Sequence, residues 1–164
     1  MKRKSMVVIG MVVGCLMMVA GAAWAVDMPG AANGTLNAGN LVWLLNPNSC
    51  LGKMNWDSAV SRAESLASGQ CGLTDGSKAG QWRLPTEDEL NGIRHAATLL
   101  KLGDFGYWSS DSGYNFVRVK YTKYKITDDS QAVLCYMRFG GENESQLKFN
   151  SGYVLPVRGV VRVH

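Results

Sequence analysis

Apolar positions along the chain change their spacing twice. In Trp56, Ala59, Val60, Ala63, Leu66 and Ala67 they recur at steps of three and four, so they share one face of a helix. Asn55 supplies an N-cap, Asp57 sits at the positive end of the dipole, and Gly69 is the expected stop. Leu90, Ile93, Ala97 and Leu100 repeat the pattern in a second helix, closed by Lys101 and Gly103. A short buried strand is expected over Leu41 to Leu45. From Phe105 onward the period falls to two: Val117, Val119 and Tyr121 alternate with Arg118, Lys120 and Thr122, and Val133, Cys135, Met137 and Phe139 share one face of another strand. Asp111-Ser112-Gly113 and Gly140 to Ser145 read as turns, Leu147 to Phe149 as a short strand, and Tyr153 to Val163 as a last strand broken or at an edge where Pro156 falls. Helices first and an antiparallel sheet after them predict an α+β fold.

The corner before the second helix, Trp82-Arg83-Leu84-Pro85-Thr86, is built from local rules. Pro85 forces extended backbone on Leu84. Thr86 and Glu89, three residues apart, form a capping box, which gives the acidic run Glu87-Asp88-Glu89 a structural purpose. Trp82 and Leu84 are expected to point inward, and Arg83 between them to meet either solvent or a carboxylate.

Ahead of these elements, Lys2, Arg3 and Lys4 precede an apolar run from Met6 to Ala23 and the small-x-small pattern Ala23-Trp24-Ala25, the layout of a secretory signal peptide over residues 1–25. Two alternatives stay open: an uncleaved membrane span, and a lipoprotein acylated at Cys15 within Val12-Val13-Gly14-Cys15. Residues 26–40, rich in Gly, Asn and Ala, read as a flexible lead-in to a domain over 41–164. Removing the signal changes the charge. It takes three basic residues and no acidic ones from totals of 17 and 13, leaving +1. A chain so nearly neutral is not expected to bind nucleic acid. The expected location is outside the inner membrane: periplasmic, extracellular or on the cell surface. Membrane contact is expected only through an uncleaved or lipidated N-terminus.

Export makes disulfides available. Cys50 and Cys71 flank the first helix, and joining them would remove about 3 kcal/mol of unfolded-state entropy. Cys135 is left over in an apolar strand and is expected to act as a small buried hydrophobe. His95 and His164 have no partner at metal-ligand spacing, and the acidic turns Asp128-Asp129 and Glu142-Asn143-Glu144 read as solvated surface, so neither a metal nor a cofactor is expected.

The order of several blocks resembles the Lcl C-terminal domain family, named after the C-terminal region of a collagen-like bacterial adhesin. The blocks are Gly52-Lys53-Met54-Asn55-Trp56 with Ala59, then Leu66 to Gly69 followed by Cys71 to Ser77, then Trp82 to Thr86 with Glu89-Leu90, Tyr107-Trp108-Ser109-Ser110, and Val157-Arg158. The resemblance covers residues 41–159. It implies a C-type-lectin-like fold, two helices packed on a curled antiparallel sheet, in an exported bacterial protein, and the founding adhesin binds sulfated polysaccharide. The chain departs from the pattern at Leu155, where an aromatic is expected before Pro156, and over residues 114–125, which are longer and more basic than the usual strand. The Arg83 to Glu87 corner is also similar to that of formylglycine-generating enzymes, but the cysteine pair or histidine set those enzymes need is missing here.

Charge is divided unevenly. Residues 26–113 hold 6 basic and 9 acidic side chains, residues 114–164 hold 8 basic and 4 acidic. Arg118, Lys120, Lys123 and Lys125 lie among Tyr114, Tyr121 and Tyr124, with Arg118 and Lys120 expected on one strand face. Cations beside aromatic rings suit a sulfated or carboxylated sugar. The competing role is protection of an edge strand. The sequence therefore predicts a non-catalytic binding or adhesion module whose partner is an anionic glycan. The alternative is a structural or accessory envelope protein contacting other proteins, with an enzyme a distant third.

Overall fold

The structure, a computed structural model, describes residues 33–138 and 141–160. The signal segment, Cys15, residues 26–32, Phe139, Val163 and His164 lie outside the described residues. The order of elements is β1 (Thr35–Ala38), β2 (Leu41–Leu44), α1 (Pro47–Cys50), β3 (Lys53–Met54), α2 (Trp56–Glu64), α3 (Glu87–Ile93) running into a 3₁₀ turn (Arg94–Ala96), β4 (Gly106–Val119), β5 (Thr122–Tyr136), β6 (Asn143–Leu147), β7 (Gly152–Tyr153) and β8 (Val157–Gly159). The fold is α+β, with two sheets rather than one. The smaller runs β1-β2-β8 and is antiparallel. The larger runs β3-β7-β4-β5-β6 and is antiparallel except where β4 meets β7 at Tyr107 and Tyr153.

Both expected helices form, and they pack on opposite sides of the strands. Ala59 and Ala63 of α2 join Leu44, Trp82, Trp108, Ala132 and Leu134 in one apolar cluster. Leu90 and Ile93 of α3 join Trp43, Tyr107, Val133, Cys135 and Met137 in another. Neighbours along β4 and β5 thus go to opposite cores, as strand geometry requires of a sheet covered on both faces. The Asn55 cap holds, its side chain accepting from the Ser58 amide at 2.9 Å. The Thr86–Glu89 box is complete in both directions.

Several boundaries differ from the sequence reading. Part of the supposed lead-in is strand: β1 pairs with β2 from Thr35 opposite Leu44 to Ala38 opposite Leu41, and Thr35 and Leu36 are buried. Helix α2 stops at Glu64, not near Gly69: the Ser65 and Leu66 amides still bond back to Ser61 and Ala63, and after them the chain bonds across to residues 73–77. Ser68 N–H reaches Ser77 O and Gly69 N–H reaches Leu73 O. Helix α3 ends at Ile93 and tightens into a 3₁₀ turn instead of continuing to Leu100, although Leu100 is still fully buried.

Asp111-Ser112-Gly113 is no turn. The strand β4 passes through it, and the Asp111 carboxylate accepts from the Glu87 amide, adding a second cap to α3. The hairpin turn lies at Lys120-Tyr121, where Lys120 has φ +55°. The β6 strand starts at Asn143, earlier than expected, and Pro156 does interrupt the last run, separating β7 from β8.

The pairing of β4 with β5 slips beside Gly113. Ser112 faces Ala132, yet Gly113 faces Asp128. A Cβ on Gly113 would lie 2.4 Å from the Gln131 Cβ, so this bulge needs the glycine. Beyond it, β4 and β5 run on as a two-stranded arm from Tyr114 to Thr127.

Candidate functional site

Register sorts the side chains of the arm onto two faces. Tyr114 faces Thr127, Phe116 faces Lys125 and Arg118 faces Lys123, so these six share one side. Asn115 faces Ile126, Val117 faces Tyr124 and Val119 faces Thr122 on the other. On the first side Lys123 Nζ sits 3.7 Å from the centroid of Phe116, and Lys125 Nζ 3.7 Å from that of Tyr114. The two rings meet edge to face at 5.3 Å. Arg118 completes a row of three cations supported by two rings. Between Tyr114 and Thr127 there are four basic side chains and no carboxylate.

The arrangement departs from the expected patch in the facing of Lys120 and Tyr124. Lys120 does not share a face with Arg118, because it occupies the left-handed turn position. Tyr121 is at the tip and fully exposed. Tyr124 points to the apolar side, opposite Val117. The rings that hold the lysines are Tyr114 and Phe116. The part played by Phe116 was missed, although its spacing of two from both Tyr114 and Arg118 carried the signal. Each lysine sits over one face of its ring, so cations and a still half-exposed Phe116 ring are presented side by side.

At the base, the arm is tied to the body by short polar contacts. Tyr114 N–H donates to Ser145 Oγ at 2.7 Å. Asp128 accepts from Ser130 N–H and Oγ–H, from Asn115 Nδ2 at 2.7 Å and from Gln131 Nε2 at 2.8 Å. Those bonds, led by the Ser130 hydroxyl, hold its carboxyl below the usual range. Among the described residues, no three His, Cys, Asp or Glu side chains gather into a metal set.

The Trp82-to-Thr86 corner is occupied by its own contacts. Arg83 makes a bidentate pair with Glu89 at 2.8 and 2.7 Å while its side chain stays half exposed, so it meets both carboxylate and solvent. Glu89 also accepts from the Thr86 amide. The hydrogen bonds from Arg83, against the opposing effect of burial, keep the Glu89 carboxyl low. Trp82 and Leu84 are buried, as the corner demanded, and Trp108 is buried with them. Cys135 is buried too, and burial pushes its thiol up to about 12.

Cys50 and Cys71 are joined, with Cα atoms 5.4 Å apart. Beyond the disulfide, the stretch Asp75-Gly76-Ser77 forms one wall of a polar cleft of about 480 Å³. Inside, Asp75 accepts from Arg158 Nη2 at 2.8 Å and from Ser77 Oγ at 2.7 Å. Trp82 Nε1 donates to that same Ser77 hydroxyl, and the Arg158 guanidinium lies over the Trp82 ring. Burial acts to raise the Asp75 carboxyl, but the bonds from Ser77 and Arg158 outweigh it and the net shift is downward. Asp75 and Arg158 are 83 positions apart, so nothing local in the sequence announces the pair.

No family model matches the chain, and no curated protein matches it. The disulfide is the chemistry of an oxidising compartment. No helix among the described residues is long and apolar enough to cross a membrane.

Proposed function

We propose that the protein is an exported, non-catalytic binding module that holds an acidic polysaccharide on the cationic face of its arm. The observation that carries this reading is the row Arg118, Lys123 and Lys125, gathered on one face of a hairpin with no carboxylate to neutralise it. Bound anions would be met by lysines already held over aromatic rings, so less side-chain freedom is lost on binding. The finer architecture we assign is C-type-lectin-like, supported by the ordered blocks that resemble the Lcl C-terminal domain and by helices packed on a largely antiparallel, bulged sheet. The Arg83 corner gives an enzyme reading little support, since its side chains are spent on a salt bridge and a helix cap.

Binding of heparin and of uncharged dextran, compared at low and near-physiological ionic strength, tests the proposal. Heparin binding should weaken steeply with salt. In the Arg118→Glu, Lys123→Glu double variant it should fall at least about tenfold, as expected when paired charges are reversed at a surface. Equal binding of dextran, or heparin binding indifferent to the double variant, would overturn it. A second reading, a protein-contacting envelope component, is favoured by one observation only, the exposed apolar side of the same arm.

A further inference from the structure

The proposed polysaccharide site does not use that second side. Val117, Val119, Tyr124 and Ile126 are each about half exposed, and Tyr121 at the tip is fully exposed. They form a continuous apolar face on a hairpin whose other face and turn carry all four of its cations. Neither face is covered by the body of the protein, whereas an isolated two-stranded ribbon is marginal in water. Something of complementary chemistry is therefore expected to cover it.

We propose that the arm is an amphipathic hairpin that docks on anionic phospholipid, its Val117, Val119, Tyr124 and Ile126 face entering the headgroup–acyl boundary while Arg118, Lys120, Lys123 and Lys125 meet the phosphates. The physics is that of an interfacial amphipathic helix in strand form: an apolar stripe sinks a few ångströms, and long cations on the opposite side reach the headgroups by extending their methylene stems. Apolar insertion and charge attraction are separate signals, each too weak alone and sufficient together. Tyrosines at the tip and on the apolar face suit the same boundary, since the ring is apolar and the hydroxyl wet.

The charge and size of the face favour lipid over a second copy of the chain. Strand spacing makes the face roughly 23 Å by 10 Å, so packing two arms together buries roughly 500 Å². Specific dimers bury about 1,200 Å² or more. Pairing would also bring two carboxylate-free arms within about 10 Å of each other. A lipid surface asks for no such area and supplies the missing negative charge.

Co-sedimentation of the purified chain with vesicles of phosphatidylcholine containing one quarter phosphatidylglycerol, and with vesicles of phosphatidylcholine alone, reads the proposal. The variants share one N-terminus, so differences between them report the arm. Binding should favour the anionic vesicles, and Val119→Ser with Ile126→Ser should cut it about tenfold, because one of two required signals is removed. Tyr121→Ser, in a turn where misfolding is not a concern, should weaken it in the same direction. Heparin binding by the Val119→Ser, Ile126→Ser variant should be unchanged, which separates this face from the polysaccharide face whether or not the latter reading stands. Equal binding to both vesicle types would overturn the proposal. So would binding indifferent to the apolar-face variants, or a lipid-free dimer that those variants dissolve, the last pointing to a second copy as the occupant.

Discussion

The strands β4 and β5 pass through two environments. Near the body, Tyr107 and Trp108 of β4 face Cys135 and Leu134 of β5, and all four are buried, Tyr107 with Cys135 in one core and Trp108 with Leu134 in the other. Past the bulge at Gly113, the same two strands expose both faces from Asn115 to Ile126. In the body, burial selects the residues: consecutive positions such as Ala132 to Cys135 are apolar because helices cover both sides. In the arm nothing covers either side, and an alternation replaces the continuous run, with cations and rings on one face and β-branched residues and Tyr124 on the other. Burial within the chain does not select that pattern, and the contacts proposed for the two faces of the arm would.

The comparison breaks most clearly if a body residue can be removed without loss. Trp82 is 1% exposed and joins α2, the cysteine loop and the β8 strand. Trp82→Ala should cost about 4 kcal/mol in urea unfolding, from lost burial and the cavity left behind. The buried Ser77 hydroxyl would also lose its donor.

Acid sharpens the picture next. The Asp75 carboxyl is held below its ordinary value in the folded protein. The stability it contributes is therefore complete above the unfolded value, about 3.9, and is lost as pH falls through the lower folded one. Glu89, lowered by Arg83, acts in the same sense. Stability measured by urea should be flat with respect to these two groups above about pH 5 and decline below about pH 4. Asp75→Asn should cost about 2 kcal/mol at neutral pH, since Arg158 loses its carboxylate partner in a poorly exposed site. It should also flatten the acid limb. An unchanged acid limb would show that the Asp75–Arg158 pair does not hold the cleft.

What could be read from the sequence divides along the same line. The capped helices, the buried Trp82 and Leu84, the disulfide and the buried Cys135 follow from spacing of four residues or fewer or from simple composition. The register of the arm does not. Arg118 and Lys120 were expected on one face because alternation was counted straight through Lys120, but Lys120 takes a left-handed turn and ends the count. Val-Lys-Tyr-Thr contains none of the Gly, Asn or Asp residues that usually mark a two-residue hairpin turn. Equally, Asp111-Ser112-Gly113 looks like a turn by composition, and only its bond to the Glu87 amide and the bulge opposite Gln131 show why the chain goes straight on. Contacts between Asp75 and Arg158, or Asp111 and Glu87, depend on how distant elements meet.

The smallest effect is expected in the arm, and there it is informative. Val117→Thr and Tyr124→Ser alter facing residues on a surface already open to water, so each should change folding stability by no more than about 0.5 kcal/mol. Amide exchange should show why. Amides of Phe116 to Lys125 bond only within an uncovered ribbon and should exchange through local opening, far faster than those of Tyr107, Trp108 and Leu134, which need the two cores to separate. If arm amides were protected as strongly as the body, the ribbon would already be covered in water by another molecule of the chain. Protection that rises only when anionic vesicles or heparin are added would instead place the missing cover outside the protein, on whichever face the responding ligand occupies.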